Sequence, residues 1–281
     1  MLFIPEDSIE RWIKEDVPYI DLTTLVLGIG KQQGRIQFFC RENAVVSGVE
    51  EVLRILNKFN IQVARFTPSG TLLSPGETFI EGEGDTENLH LAWKVSLNIL
   101  EYCSGIATRT RRMVNAAKNI NPKVSIVATR KLFPGTKELS IKAVLAGGGF
   151  PHRLGLSETI LIFKQHTNFL GGVDGLCAMM DEIKVRACEK KIIAEAETIE
   201  DAVKLCRAGV DGIQFDKVPP EMLKDFVRMI KEINPAVTAL AAGGINAGNV
   251  EDFAMTGVDA IVSTAVYFGK PVDMSARIIK P

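Results

Sequence analysis

The spacing of apolar residues along the chain changes near Pro122. After that point short apolar runs alternate with amphipathic stretches, an order typical of parallel strands joined by right-handed helical crossovers. The predicted strands are Val124–Thr129, Thr159–Phe163, Lys191–Glu197, Gly212–Asp216, Val237–Gly244 and Ala260–Tyr267. The pattern predicts an α/β barrel, and because the segment is short for eight strand–helix units, an incomplete one.

The residues before Pro122 have a mixed pattern of helices and strands. The predicted elements are a helix over Ser8–Val17 with Ser8 as its N-cap, a strand over Gly34–Asn43, a helix over Val49–Phe59 and two short strands within Thr71–Asp85. From Thr86 an apolar stripe predicts a long helix that is interrupted at Ser104-Gly105 and followed by a second helix.

Composition and charge narrow the class of protein. The chain has 281 residues, 46% of them hydrophobic, and a net charge of −1, which argues against a general nucleic-acid surface. Its five cysteines form no C-x-x-C pair, so neither a disulfide framework nor a zinc site is indicated. No apolar run is long enough to cross a bilayer and no signal-peptide pattern begins the chain, so we expect a cytoplasmic protein without a membrane partner.

One stretch departs from this neutral balance. Ala128–Arg153 holds six basic residues and a single acid around a glycine run. Functional groups of α/β barrels lie at the carboxyl ends of the strands, and the stretch surrounds two such ends. Applied along the chain, that rule selects Thr129, Arg130, Lys131, His152, Arg153, Lys164, Gln165, His166, Glu195, Glu197, Asp216, Ala242, Gly243, Gly244, Ser263 and Thr264.

This set predicts a phosphate-binding rim. Cations occupy one arc, carboxylates the next, and a glycine turn leads to a helix start near Asn246 whose free N–H groups could hold a phosphate. Cations, carboxylates and such a turn suit a polyphosphorylated substrate carrying Mg²⁺. Each group also has a structural alternative, since Arg130 and Lys131 could be a solvated strand end and Glu195 could pair with a nearby lysine.

Three functional classes remain open on the residues alone. The rim could belong to an enzyme that acts on a polyphosphorylated substrate, or to a binding protein that holds an oxyanion or nucleotide without turnover. It could also belong to an aldolase or isomerase, which would need a strand-end lysine such as Lys131 or Lys164. The passive binding protein is disfavoured, because carboxylates such as Glu195 and Asp216 would weaken the binding of an anion.

Several motifs resemble the quinolinate phosphoribosyltransferases, also called nicotinate-nucleotide pyrophosphorylases. They are IDLTT (Ile20–Thr24), CREN (Cys40–Asn43), SGIAT (Ser104–Thr108), TRK…PG (Thr129–Gly135) and GGGFPHRLGL (Gly147–Leu156). The run from Thr129 to His166 is most similar to the ModD branch, whose members are associated with molybdenum-transport genes. The resemblance therefore covers nearly the whole chain in order.

The resemblance implies a fold, an assembly and a reaction. The fold would be an N-terminal α/β sandwich over residues 1–105, joined by the C-terminal tail at about 268–281, and an open α/β barrel over residues 106–267. The assembly would be a homodimer. The reaction would join the ring nitrogen of a pyridine carboxylate or similar aromatic acid to C1 of phosphoribosyl pyrophosphate, with release of pyrophosphate. A non-catalytic anion- or nucleotide-binding protein linked to molybdate uptake is the alternative.

The resemblance also implies roles for individual residues. Arg130, His152 and Arg153 would bind the acidic acceptor, and Lys131 would face the phosphates or the acceptor. Glu195 and Asp216 would hold ribose hydroxyls and Mg²⁺ and act in catalysis with Lys131. The loop at Gly243-Gly244 would hold the 5′-phosphate, and Lys94 would reach the partner subunit's site.

Four positions depart from the family pattern. Lys94 stands where the family has Arg, Phe163 where it has an active-site Lys, Ala242 where it has Ser and Thr264 where it has Gly. The acceptor pocket has thus lost cationic groups and gained an aromatic ring. We expect an acceptor that is less acidic than quinolinate.

Overall fold

The computed structural model describes residues 2–280, which fold into helices and strands throughout. The helices are α1 (Glu6–Asp16), α2 (Leu22–Leu27), α3 (Val49–Lys58), α4 (Thr86–Ile120), α5 (Lys137–Ala146), α6 (Lys164–Thr167), α7 (Val173–Ala178), α8 (Met180–Arg186), α9 (Ile199–Ala208), α10 (Pro220–Ile233) and α11 (Val250–Ala254). The strands are β1 (Gln33–Cys40), β2 (Ala44–Val45), β3 (Gln62–Phe66), β4 (Leu72–Leu73), β5 (Thr78–Asp85), β6 (Ser125–Ala128), β7 (Phe150–Pro151), β8 (Ile160–Ile162), β9 (Ile192–Ala196), β10 (Gly212–Asp216), β11 (Thr238–Ala242), β12 (Ala260–Ser263) and β13 (Met274–Ile279).

The described chain divides into two units. The first comprises residues 2–111, 133–148 and 267–280, and the second comprises residues 112–132 and 149–266. Residues 133–148, which include α5, thus group with the first unit, whereas the sequence placed them in the barrel domain. The domain boundaries at residues 105 and 267 stay a prediction.

The first unit is built on an antiparallel sheet with the strand order β13-β1-β5-β3. Strand β1 alternates as a half-buried strand should, with Ile36, Phe38 and Cys40 turned into the core. The chain's last strand, β13, pairs with β1, so that Arg35 lies opposite Ile279. Strands β3 and β13 were missed in the sequence, because neither shows a regular alternation of buried and exposed residues and β3 is almost entirely exposed.

The predicted cap of the first helix is wrong. Helix α1 begins at Glu6, its N-cap is Pro5, and no side chain caps it. Ser8 instead lies within the first turn, is buried, and donates a hydrogen bond to Glu138 at 3.0 Å. Its hydroxyl therefore serves a long-range contact within the first unit, which no local pattern could indicate.

The predicted break in the long helix is also wrong, since α4 runs unbroken through Ser104 and Gly105. Glycine inside a helix costs about 1 kcal/mol relative to alanine. At Gly105, however, a side chain would meet the Lys270 carbonyl at 3.0 Å, so the glycine permits a close approach of backbone. The Ser104 hydroxyl accepts a hydrogen bond from the Ser47 N–H at 3.0 Å. Both residues are packing devices of the first unit rather than helix breakers.

The second unit is an open barrel of seven parallel strands in the order β7-β6-β12-β11-β10-β9-β8. All six strands predicted for this region are present, and the predicted fold class, an open α/β barrel together with a separate sheet-containing unit, is confirmed. The additional strand β7 is only two residues long and was missed, because so short a segment carries no periodicity. Strands β7 and β8 are the two edges of the opened barrel.

Apolar side chains from neighbouring strands fill the interior of the barrel. The buried cluster consists of Leu161, Ile193, Leu240, Ala242, Ala260 and Val262, with Val127 and Phe163 packed against it. Members two residues apart on one strand point to the same side, as strand geometry requires. The cluster closes the barrel from below, so that the polar residues at the strand ends stand on an apolar floor. No helix in the described chain is both long and apolar enough to span a membrane.

Candidate active site

A cavity of about 700 Å³ lies in the second unit at the carboxyl ends of its parallel strands. The predicted site residues that line it are Thr129, Arg130, Lys131, His152, Arg153, Glu195, Asp216, Ala242, Gly243, Gly244, Ser263 and Thr264. These residues come from six different strand ends that are distant in sequence. The structure thus brings the basic and acidic residues of the predicted rim to one mouth, while their individual roles stay predictions.

Three of the four Lys and Arg side chains that line the cavity have no carboxylate partner in the described chain. Among residues 2–280, no carboxylate oxygen lies within 4.0 Å of Arg130, Lys131 or Arg153. Arg153 is only 9% exposed, donates to the Thr159 carbonyl at 3.4 Å and lies 5.9 Å from the centre of the Phe163 ring. Burial, and then the neighbouring Arg130 charge, lower the pKa of Arg153. A guanidinium that is buried without an opposite charge beside it is suited to binding an anionic ligand.

His152 belongs to the same basic arc and connects it to the acids. Burial, and then the charge of Arg153, lower the pKa of His152, whereas the Gln214 amide acts weakly in the opposite direction. His152 Nε2 and Gln214 Oε1 are both buried, yet neither reaches hydrogen-bond geometry with any described residue. Gln214 Nε2 donates to Glu195 Oε1 at 3.1 Å. An amide therefore fixes one carboxylate of the cavity and faces its histidine.

The two carboxylates extend from adjacent strands. Glu195 on β9 pairs in register with Gln214 on β10, and Asp216 ends that second strand. Burial raises the pKa of Glu195, the hydrogen bond from Gln214 opposes this, and the nearby charge of Asp216 raises it further. Asp216 Oδ2 lies 3.8 Å from Lys217 Nζ. The pair forms an acidic arc, and the positive charges nearest to it are those of Lys217 and Lys131.

Two carboxylates by themselves are a partial metal site. No cluster of three or more His, Cys, Asp or Glu side chains suited to a metal ion occurs in the described chain. Mg²⁺ favours six oxygen ligands and commonly takes one or two carboxylates together with substrate phosphates. Glu195 and Asp216 fit that donor set, so a magnesium ion here would be shared between protein and substrate.

The turn after β11 is held open by glycine. Gly243 (φ +94°) and Gly244 (φ +73°) both adopt left-handed backbone, where residues with side chains are disfavoured. A Cβ on Gly243 would lie 2.7 Å from the backbone nitrogen of Lys217, whereas a Cβ on Gly244 would meet nothing within 4 Å. The first glycine thus packs against the neighbouring strand end, and the second faces open space.

The predicted helix start after this turn is wrong. Helix α11 begins only at Val250 and has five residues. The Asn246 N–H donates to Asn249 Oδ1 at 2.8 Å, and Asn246 Nδ2 donates to the Gly244 carbonyl at 3.2 Å. The turn is therefore braced by asparagine side chains, and the Asn246 N–H is not available to a phosphate.

The hydroxyl groups of β12 and β6 are mostly engaged within the protein. Ser263 Oγ donates to the Ile245 carbonyl at 2.6 Å and accepts from the Ala265 N–H at 3.1 Å. Thr129 and Thr264 share a hydrogen bond between their hydroxyls at 2.9 Å. Ser263 therefore anchors the glycine turn, and the threonine pair ties β6 to the segment after β12.

Four predicted site residues, Glu197 among them, do not line the cavity. Lys164 Nζ lies 3.9 Å from Glu197, and His166 Nδ1 accepts the Phe163 N–H at 3.0 Å while its ring stacks on that phenylalanine at 5.8 Å. Both belong to α6, which begins immediately after β8 and turns their side chains elsewhere. Lys94 belongs to α4 in the first unit, with its Nζ 4.7 Å from the Trp93 ring centre, and its role in a dimer stays a prediction.

Gln165, which the strand-end rule selected, also lines the cavity, as do Phe163 and Asn246, which the sequence predicted near it. The remaining lining residues were not predicted. They are Leu161, Gln214, Lys217, Ile245, Val262 and Ala265. A signal existed for two of them. Gln214 is an amide within the otherwise apolar strand GIQFD, and Lys217 directly follows the strand-end residue Asp216.

The open parallel barrel, with cations, two carboxylates and a glycine turn at its strand ends, defines a member of the α/β-barrel class. Models of the quinolinate phosphoribosyl transferase N-terminal and C-terminal domains match residues 21–104 and 106–277. The chain therefore belongs to the quinolinate phosphoribosyl transferase family, as its motifs predicted.

Individual relatives agree with this assignment. A candidate pyrophosphorylase, ModD, from Pasteurella multocida is 33% identical over 280 residues, covering 100% of this chain and 99% of the relative. The human nicotinate-nucleotide pyrophosphorylase (carboxylating) is 30% identical over 259 residues, covering 90% and 84%. The crystal structure of nicotinate-nucleotide pyrophosphorylase from Ehrlichia chaffeensis superposes with a TM-score of 0.90 at 25% identity, covering 99% and 100% of the two chains.

Proposed function

We propose that the protein is a phosphoribosyltransferase that joins phosphoribose from phosphoribosyl pyrophosphate to the ring nitrogen of an aromatic acid. The observation that carries this proposal is the single cavity in which unpaired cations, two carboxylates and an open glycine turn converge. The human relative's name, nicotinate-nucleotide pyrophosphorylase (carboxylating), supports the same reaction class.

In this reaction the acceptor nitrogen supplies an electron pair to C1 of the ribose. The bond between C1 and the pyrophosphate oxygen breaks, and pyrophosphate leaves with that bonding pair. Positive charge develops on the ribose in between, and carboxylates fixed beside it stabilise that charge. Glu195, which accepts a hydrogen bond from Gln214, and Asp216 would have this role.

The basic arc would bind the acceptor and the departing phosphates. Guanidinium groups grip carboxylates in a fixed plane, which suits Arg130 and Arg153 to an aromatic acid. Lys131, at the exposed end of the same arc, would face the phosphates. Mg²⁺ held by Glu195, Asp216 and substrate oxygens would neutralise charge on the pyrophosphate.

Phe163 bears on the choice of acceptor. It lines the cavity, packs against the apolar floor and lies beneath the Arg153 guanidinium. A wall of this kind accommodates an aromatic ring but offers no second carboxylate a partner. We therefore propose an acceptor with fewer carboxylates than quinolinate.

The alternative is a binding protein that holds an anion, such as an oxyanion or a nucleotide, without turnover. Glu195 and Asp216 speak against it, because two carboxylates beside the cations reduce the attraction for an anion. They are useful only if the ligand also brings a metal ion, hydroxyls or a developing positive charge.

Calorimetry with phosphoribosyl pyrophosphate and Mg²⁺ tests the proposal. We expect tight binding that Glu195→Ala and Asp216→Ala each abolish. Glu197→Ala is the matched control, since Glu197 lies two residues from Glu195 but pairs with Lys164 outside the cavity lining. Binding that survives both cavity substitutions would favour the passive anion site.

The acceptor is tested by pyrophosphate release from phosphoribosyl pyrophosphate in the presence of a panel of aromatic acids. We expect a monocarboxylate to be turned over and quinolinate to be a poor substrate. Turnover of quinolinate at an ordinary enzymatic rate, of about 1–10³ per second, would contradict the proposed acceptor while leaving the transferase intact.

A further inference from the structure

Lys217 has an unusual backbone conformation for its residue type. Its φ is +58°, and among the described residues only Asn60 shares a positive φ without being glycine. Asparagine adopts this left-handed region with relative ease, but a long side chain such as lysine does so at a cost. Residues held in this way cluster at functional sites, provided that the surrounding structure fixes them.

The surrounding structure does fix this residue. The Lys217 N–H donates to the Ala242 carbonyl at 2.8 Å, which ties the end of β10 to the end of β11. A Cβ on Gly243 would lie 2.6 Å from Lys217 Cγ, so the lysine stem packs directly against the glycine turn. The strained backbone and the missing side chain at Gly243 together place the lysine beside that turn.

The charge of Lys217 is free to act. Its side chain lines the cavity and is 81% exposed. The one carboxylate within 4.0 Å among residues 2–280 is that of Asp216, at 3.8 Å, which is too long for a direct hydrogen bond. The other basic lining residues follow β6 and β7, on the opposite side of β11 from β10 in the sheet. Lys217 therefore adds positive charge where the acidic arc meets the glycine turn.

From this placement we infer that Lys217 binds the sugar phosphate of the phosphoribosyl substrate, closing over the open side of the Gly243-Gly244 turn. The inference rests on the proposed function and assigns Lys217 to that substrate's 5′-phosphate, not to its pyrophosphate. The open space at Gly244 leaves room for a phosphate group. An ammonium group on a flexible stem binds phosphate as a point charge from one side.

Calorimetry with ribose 5-phosphate, in the absence of Mg²⁺, tests the inference without any chemistry. Lys217→Asn removes the charge and keeps a residue that tolerates left-handed backbone, so the fold is expected to be at least as stable as in the wild type. The affinity for ribose 5-phosphate should fall about tenfold or more, in line with the loss of one hydrogen bond to a charged group. Lys217→Arg should retain most of the affinity. Lys204→Asn is the matched control, because Lys204 pairs with Asp174 away from the cavity.

Three results would overturn the inference. The first is an unchanged affinity for ribose 5-phosphate in Lys217→Asn, and the second is no affinity for it in the wild type. The third is an equal loss of affinity for inorganic pyrophosphate, which would make Lys217 a general attractor of anions. Wild-type binding of phosphoribosyl pyrophosphate with Mg²⁺ is measured in parallel. Its presence would show that only the assignment of Lys217 had failed, whereas its absence would remove the proposed function as well.

Discussion

Each of the two units gathers charged side chains, but they treat them in opposite ways. In the first unit Lys142 Nζ lies 2.6 Å from Glu51 and 3.0 Å from Glu50, and the Lys142 and Glu51 side chains are only 11% and 3% exposed. In the second unit Arg130, Lys131 and Arg153 line a cavity. Among residues 2–280, no carboxylate oxygen lies within 4.0 Å of any of these three side chains. Removing one partner of a buried ion pair leaves an uncompensated charge, whereas unpaired cations in a cavity are candidates for binding an anionic ligand.

The pKa values of two glutamates express the same contrast. Burial of the Glu50 carboxyl tends to raise its pKa, but hydrogen bonds from Ser69 and Lys142 outweigh this and lower it. Burial also raises the pKa of Glu195, and there the hydrogen bond from Gln214 does not outweigh it. The hydrogen bonds to Glu50 thus compensate for its burial, whereas the ionised form of Glu195 remains destabilised by burial.

Lys142→Met should produce the largest change in stability. It leaves the buried Glu51 carboxylate without a partner, and breaking a buried ion pair from one side typically costs about 3–5 kcal/mol. The free energy of unfolding, measured by denaturant titration, should fall by an amount in that range. Lys58→Met is the matched control, because Lys58 also contacts two glutamates, Glu6 and Glu10, but at the surface.

The control should change the free energy of unfolding very little, since exposed ion pairs are screened by solvent. Equal effects of the two substitutions would break the comparison. They would mean that the Lys142 cluster is no more structural than a surface pair.

Much of the barrel was predictable from sequence because its signal is local. Six parallel strands show as apolar runs bounded by glycine, proline or charge, and the rule that function lies at strand ends selects most of the cavity lining. Lys217 was within reach of the same rule, since it follows Asp216 at the end of β10. Lys217 is distinguished by its left-handed backbone and by its packing against Gly243 in the turn after β11, and neither feature has a local sequence signal.

Two of the errors share one physical cause, which is that tertiary contacts overrode local propensity. The sequence predicted a helix break at Ser104 and Gly105. In the structure Gly105 permits a close approach of backbone, and Ser104 accepts a buried hydrogen bond. Ser8 read as a cap and serves Glu138 instead. His166 lies at a strand end, but a short helix starting at Lys164 turns it away from the cavity.

Arg130→Gln should separate function from stability in the second unit. Removing a cavity cation that has no internal partner should leave the free energy of unfolding within about 0.5 kcal/mol of the wild type. The kcat/KM for the aromatic acceptor should fall about 10–100-fold, as expected for a lost hydrogen bond between charged groups. Arg228→Gln is the control, since Arg228 pairs with Asp225 on α10 and does not line the cavity. A large loss of stability in Arg130→Gln would show that the cavity charge is structural after all.

The smallest effect, and the most direct test of the contrast, is the pH dependence of stability in Glu50→Gln and Glu195→Gln. The pKa of Glu50 is lowered in the folded protein, so its charged form contributes stability above its unfolded pKa of about 4.5 that is lost as pH falls through the folded value. The pKa of Glu195 is raised, so stability is greatest below about 4.5 and is lost as pH rises through the folded value. At pH 7 Glu50→Gln should therefore destabilise the protein and Glu195→Gln should stabilise it.

Both differences from the wild type should shrink towards zero in acid, where each wild-type carboxyl is protonated in the folded and unfolded states alike. Denaturant titrations of the two variants and the wild type between pH 3.5 and pH 7, at about 0.1 M salt to limit long-range charge effects, measure the two curves. Curves of the same sign at pH 7 would mean that the cavity carboxylate is as well compensated as the one in the first unit. Glu195→Gln could both stabilise the protein and abolish the binding of phosphoribosyl pyrophosphate. That result would show that the Glu195 carboxylate destabilises the empty protein and is needed for the substrate. Such a destabilising acid is retained for its function.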